Sequence, residues 1–279
     1  MEFKVQISKG GSMHLRKISK TSFNSILTIL MASAALLVSS SSQARMLSDD
    51  ADLVEVPADV ALAPKEGFDD NDMIQVVLHG MLPNVCYQLD GNRVERLSDG
   101  KTIKIHQFAR RTKDGVCADQ STLPEHMKMA VPYTTEVNLG QLKLGNYQFD
   151  YLGIDGEFKE GSLNVAGATS PTIDSFPYAA VTNAQSNEVV SSMDEVKVRI
   201  NIVLNSSCVE LDDNIRVTKL DDVWVVQPLL KVKEGIMCIQ VLRPIERNLN
   251  LGKTAPGHHL IHVRSMNGKA VNKMIEVTR

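Results

Sequence analysis

Two matched pairs of cysteines constrain this chain more than any other feature. Cys86 and Cys117 stand 31 residues apart, and Cys208 and Cys238 stand 30 apart. Their surroundings match as well. Leu82-Pro83-Asn84-Val85-Cys86-Tyr87-Gln88-Leu89 answers to Leu204-Asn205-Ser206-Ser207-Cys208-Val209-Glu210-Leu211. Further on, Ile103-Lys104-Ile105 answers to Val223-Trp224-Val225-Val226, and Gly115-Val116-Cys117 to Gly235-Ile236-Met237-Cys238. Leu139-Gly140 with Gly145-Asn146-Tyr147 repeats as Leu251-Gly252 with Gly257-His258-His259. A repeat of this length is one folding unit used twice. The offset between copies drops from 122 or 121 at the cysteines to 112 at these glycines, so the first copy holds about nine extra residues after Cys117. Of the three pairings that four cysteines allow, only Cys86–Cys117 with Cys208–Cys238 treats the copies alike.

Each copy reads as β-structure. Thr102 to Phe108, Gln148 to Leu152 and Leu260 to Arg264 alternate with period two. Asp90-Gly91, Asp99-Gly100, Asp114-Gly115, Asp155-Gly156 and Asn267-Gly268 are dipeptides that tolerate the positive φ of tight turns. About seven short strands per unit predict a β-sandwich. Leu139, Gly145 and Tyr147 resemble the tyrosine corner of immunoglobulin-like domains, in which a Tyr hydroxyl ties a strand start to the preceding loop. That resemblance implies two tandem immunoglobulin-like sandwiches, each with one disulfide, and a fold alone assigns no activity. Trp224 has no counterpart in the first copy. The expected organisation is a signal peptide over 1–44, an acidic flexible segment over 45–69, one sandwich over 70–167, a linker over 168–191 and a second sandwich over 192–279. Within the linker, Ile173, Phe176 and Tyr178 are candidates for packing at the junction.

The N-terminal segment carries the export signature. Arg16, Lys17 and Lys20 precede the apolar run Ile26 to Val38, and Ser42-Gln43-Ala44 supplies small residues for cleavage after Ala44. Translation from Met13 gives a more usual signal length than translation from Met1. The apolar run spans about 20 Å as a helix, short of the roughly 30 Å hydrocarbon core. No later segment is apolar enough to span a membrane, so a periplasmic or secreted protein without a membrane span after cleavage is expected. Oxidising surroundings suit paired cysteines.

Charge narrows the partners. Of the net −3, residues 1–44 contribute +4 and residues 45–72 contribute −7, leaving a neutral body. Such a body lacks the basic field that nucleic acid requires.

Chemistry-bearing residues are few. His126, Met127 and Met129 offer soft ligands for Cu(I) in the first copy's insertion, residues 118–133. His258 and His262 share one face of a strand about 13 Å apart, too far to grip one metal readily, while His259 faces the other way and aligns with Tyr147. The chain has no Gly-x-Ser-x-Gly, His-Glu-x-x-His or glycine-rich phosphate loop. Glu125 and Glu246 are isolated carboxylates, and Asn205-Ser206-Ser207 meets the glycosylation pattern. No cofactor is implied. The expected function is a non-enzymatic binding or structural module of the cell envelope, engaging another envelope or extracellular protein through loops or sheet edges. The alternatives are an envelope hydrolase with a site between the domains, or a metal carrier.

Overall fold

In the computed structural model of this chain the described residues are 52–174, 176–235 and 237–279, all within one compact unit, Leu47–Arg279. The expected signal peptide lies outside them. Among the described residues there is no α-helix, and no helix long and apolar enough to cross a membrane. The first half contains β1 (Asp52–Glu55), β2 (Ala58–Leu62), β3 (Phe68–Asp69), β4 (Ile74–Leu82), β5 (Tyr87–Arg96), β6 (Thr102–Arg111), β7 (Val131–Gly140), β8 (Gly145–Leu152) and β9 (Phe158–Ala166). The second contains β10 (Ala180–Gln185), β11 (Val189–Ser191), β12 (Val196–Ser206), β13 (Val209–Leu211), β14 (Arg216–Leu220), β15 (Val223–Gln227), β16 (Leu230–Val232), β17 (Gln240–Gly252), β18 (Gly257–Ser265) and β19 (Lys269–Thr278).

The two halves repeat the same strand order, apart from β1 in the first and the short β13–β16 pair in the second. One sheet runs β2-β4-β7 in the first and β10-β12-β17 in the second. The facing sheet runs β5-β6-β8-β9-β3 and β14-β15-β18-β19-β11, with β1 also on β6. Because β7 crosses to the opposite sheet between them, β6 and β8 run parallel, and β15 and β18 do the same around β17. A parallel pair at the sheet centre is not part of the two antiparallel sheets of an immunoglobulin sandwich. Each half encloses its own core: Phe68, Val76, Ile103, Val137 and Phe149 in one, Val198, Ile200, Trp224, Ile261 and Ile275 in the other.

Local devices repeat too. Both expected disulfides form, with Cα separations of 5.7 and 5.2 Å. The Cys86 amide donates to Asn84 Oδ1, and the Cys208 amide donates to Ser206 Oγ. Gly140 and Gly252 take φ of 72° and 81°, and each amide donates to an Asn two residues earlier, Asn138 or Asn250. A left-handed turn here is open to glycine without Cβ strain. The Tyr147 hydroxyl donates to the Lys143 carbonyl at 2.8 Å, and His259 Nε2 reaches the Ala255 carbonyl, again four residues upstream, at 2.8 Å. An imidazole thus replaces the phenol at the same corner.

Three expectations need correction. The segment over 45–69 is not a flexible tail where it is described. β1 pairs with β6, β2 with β4 and β3 with β9. Val56, Ala58, Ala63 and Phe68 enter the core while Asp52, Glu55 and Asp59 face outward. Acidic composition concealed an alternation in which charge occupies only the solvent side. Likewise the expected linker over 168–191 holds β10 and β11, with Tyr178, Ala179, Val181, Ala184 and Val190 buried. Of the three residues proposed for the junction, Ile173 and Phe176 are exposed. Finally, Asp90-Gly91 is no turn; it sits at a bulge within β5, between Leu89 and Gly91. Asn267-Gly268 does turn the β18–β19 hairpin, with φ of 63° and 65°.

The halves are joined by more than the connecting chain. Arg264 Nη1 on β18 donates to Asp72 Oδ2 at 3.0 Å, both side chains being nearly inaccessible at 3% and 7% exposure. The guanidinium lies 4.8 Å from the Phe68 ring centroid, and His262 meets that ring edge-on at 5.6 Å. Asn272 Nδ2 donates to Gln75 Oε1 and Glu136 Oε1. Val77 packs in a separate apolar cluster with Val223, Leu260 and Met274. The connecting loop is strapped down because the Asp174 carboxylate accepts from the amides of Asn267 and Gly268, both at 2.7 Å.

Candidate functional site

Two places combine exposure with unspent chemistry. The first is a cleft of about 910 Å³ where the halves meet. It places Asp59, His79 and Thr134 from the first half beside His258, Lys273 and Glu276 from the second. Thr134 Oγ1 lies 3.0 Å from His79 Nδ1, the His79 and His258 rings are 4.6 Å apart, and His258 Nε2 is 3.1 Å from Asp59 Oδ2. Burial, and then the proximity of His258, hold His79 below the ordinary imidazole value. A hydroxyl, two imidazoles and a carboxylate in a row resemble the parts of a nucleophile and its base. However, Thr134 and Asp59 are exposed, so the row lacks the water-excluded setting that gives such groups their force.

The second place is the outer edge of β17. This strand is thirteen residues long and, among the described residues, pairs with β12 alone, leaving its other edge open. In the first half the equivalent β7 also ends its sheet, but there Val137 and Leu139 are buried in the core and Arg96 Nη2 on β5 donates to the Leu139 carbonyl. Their counterparts Leu249 and Leu251 are only half-buried, as is Ile245. The start of β17 is also apolar and bare, with Met237 88%, Ile239 60% and Leu242 75% exposed. An open edge beside such a patch is what strand-adding interfaces offer.

The sequence-derived candidates fall in different positions. Cys86, Cys117, Leu123 and Met127 form a small cluster, so the insertion packs its own disulfide. Met127 is therefore turned onto that cluster, while His126 and Met129 are exposed. Among the described residues no group of three His, Cys, Asp or Glu side chains is placed to hold a metal ion. His258 and His262 do share the face of β18 that looks at the first half, but they meet different partners there. His258 pairs with Asp59, whereas His262 is fully buried and bonded to Asn272 at 2.7 Å. Burial presses its pKa down to about 3, so it is a neutral packing group rather than an open ligand. His259 is buried against Trp224 on the opposite face. Glu125 contacts Lys128, and Glu246 contacts Arg199.

Asp59, Asp72, His79, Thr134 and Arg264 escaped sequence reasoning. Two of them lay in or beside the segment read as an acidic tail, and the rest become neighbours only through the packing of the two halves. The alternation of Ala58, Val60 and Leu62 against Asp59 was the available signal for β2.

Comparison with known proteins bears on the second half. Residues 198–277, from β12 to β19, match the family model described as the ORF11 β-sandwich domain. No curated protein and no solved structure matches the chain. The matched stretch is less than a third of the chain, and what it shows is a β-sandwich in the half that contains β17.

Proposed function

We propose that this is an exported, non-enzymatic binding module of the cell envelope, which captures an extended segment of a partner protein along β17. The single observation carrying this reading is the free edge of that strand. The main-chain groups of alternate residues along this thirteen-residue strand face away from β12, and such a row is complemented by another strand. The junction supports it by uniting into one platform two sandwiches whose corners at Tyr147 and His259 resemble the tyrosine corner of immunoglobulin-like domains. The two disulfides suit an oxidising compartment.

The test is in-cell crosslinking of the tagged chain, with identification of the attached protein. Leu242→Glu, at an exposed position, is expected to cut the yield of one stoichiometric partner at least tenfold without moving the thermal midpoint. An unchanged yield, or adducts confined to the insertion over 118–133, would overturn the placement.

A second reading, hydrolysis in the junction cleft, has one observation in its favour: the Thr134, His79, His258 and Asp59 row is assembled from both halves. Activity on an ester or amide panel that disappears in His79→Ala and Thr134→Ala would establish it. Background rates would remove it.

A further inference from the structure

The duplication allows one half to report what the other lacks. In the first half the Val85 amide donates to the Met127 carbonyl, and in the second the equivalent Ser207 amide donates to the Ile239 carbonyl. Met127 and Ile239 are therefore equivalent main-chain positions. Between Cys117 and Met127 the first half holds residues 118–126, whereas Ile239 follows Cys238 directly. The extra residues form short 3-10 turns that bring Leu123 down onto the disulfide, where it is only 4% exposed. Beneath this lid Cys86 and Cys117 are both buried and Met127 is half-buried. Without it, Cys238 and Ile239 are exposed, while Cys208 stays buried at 2%. Met237 and Leu242 are bare as well, as are their counterparts Val116 and Ala130 in the first half.

We infer that the second half is an uncapped version of the first, and that the partner segment supplies the missing cap. A leucine-class side chain of that segment seats over Cys238 and Ile239, as Leu123 seats over Cys117 and Met127, before the segment runs along β17. The inference rests on the strand-capture reading and adds the chemistry of the captured segment. It commits the occupant to an extended segment of another protein chain carrying a leucine-class anchor, on the pattern of Leu123 over the first disulfide. The seat is uncharged at its centre and continuous with the open edge, so an apolar anchor followed by an extended backbone matches both parts.

The test transfers the lid within the protein. Residues 118–126 are duplicated between Cys238 and Ile239 of the full chain. The graft is expected to make Cys208–Cys238 as slow to reduce with dithiothreitol as Cys86–Cys117, and to lower in-cell partner crosslinking at least tenfold. The same graft carrying Leu123→Asp in the copied lid is expected to restore both. Should the graft shield the disulfide while crosslinking stays at the wild-type level, the cap is refuted, and the strand-capture reading survives if Leu242→Glu still abolishes crosslinking. If Leu242→Glu is also without effect, both fall. Ile239→Asp, which needs no new loop, gives an independent arm: tenfold weaker crosslinking supports the seat and an unchanged yield overturns it.

Discussion

Substitution of the buried Asp72–Arg264 pair probes how firmly the two sandwiches are joined. Arg264→Met leaves a carboxylate with almost no water and only the Asp69 amide, at 2.9 Å, to bind it. That carboxylate has one escape, which is to take up a proton. Doing so at pH 7 from a reference value of 3.8 costs about 4 kcal/mol, which caps the electrostatic penalty. Asp72→Asn offers no such escape, because a guanidinium does not deprotonate, and leaves it facing the Phe68 ring and the new amide. Each single substitution should therefore cost about 3–5 kcal/mol, the range for a buried charge stripped of its partner. The double variant removes both charges together, so its loss should fall short of the sum by roughly 2–3 kcal/mol. Urea unfolding followed by tryptophan fluorescence, which reports Trp224 in the second half, and by far-ultraviolet circular dichroism, which reports both, gives these numbers. A single coincident transition is expected for the wild type, and separated transitions for the single variants. Additive losses within about 0.5 kcal/mol, or coincident transitions throughout, would refute the view that this pair couples the halves.

Three further outcomes follow from the same geometry. His262 has a folded pKa of about 3, below the ordinary 6.5, so the unfolded chain binds a proton that the folded chain refuses. Its contribution is complete above pH 6.5 and is lost as pH falls toward 3, with a slope approaching about 1.4 kcal/mol per pH unit. His79 shifts in the same direction, while Asp72, whose pKa burial raises, opposes them; comparing His262→Gln with wild type by denaturant titration isolates the difference, and an unchanged acid limb would contradict it. Mild reductant followed by alkylation and mass mapping should open Cys208–Cys238 well before Cys86–Cys117, because Cys238 is exposed and both partners of the other bond are buried. Gly161→Ala would drive a methyl group into the buried Phe149 ring across the β8–β9 ladder, costing about 1–3 kcal/mol in thermal or denaturant unfolding.

Much of the architecture is legible in the chain because the fold was built twice. A spacing that is ambiguous once becomes informative when it recurs, which is why the cysteine pairing and the His259 corner can be read from Cys208, Gly257 and the alignment with Tyr147. What escaped is what duplication does not encode. β2 and β3 carry their acids outward, so a composition of Asp59, Glu66 and Asp69 masks buried Ala58 and Phe68. Asp72 and Arg264 lie 192 residues apart, and no local pattern joins them. The open edge of β17 was hidden for a different reason. Its alternation from Val241 to Leu251 is that of an ordinary half-buried strand, and only the three-dimensional order shows that no described strand follows it in the sheet.

The most direct test of strand capture uses two photo-crosslinking residues on β17, one replacing Leu242 and one replacing Asn248, in the full-length protein in cells. Mapping the adducts by mass spectrometry reads the geometry of the complex residue by residue. Strand addition requires both positions to label the same protein, at sites about six residues apart on one continuous segment, since paired strands advance together at about 3.3 Å per residue. Labels on unrelated surfaces, or at β17 positions no more often than at exposed positions of β9, would contradict capture at this edge.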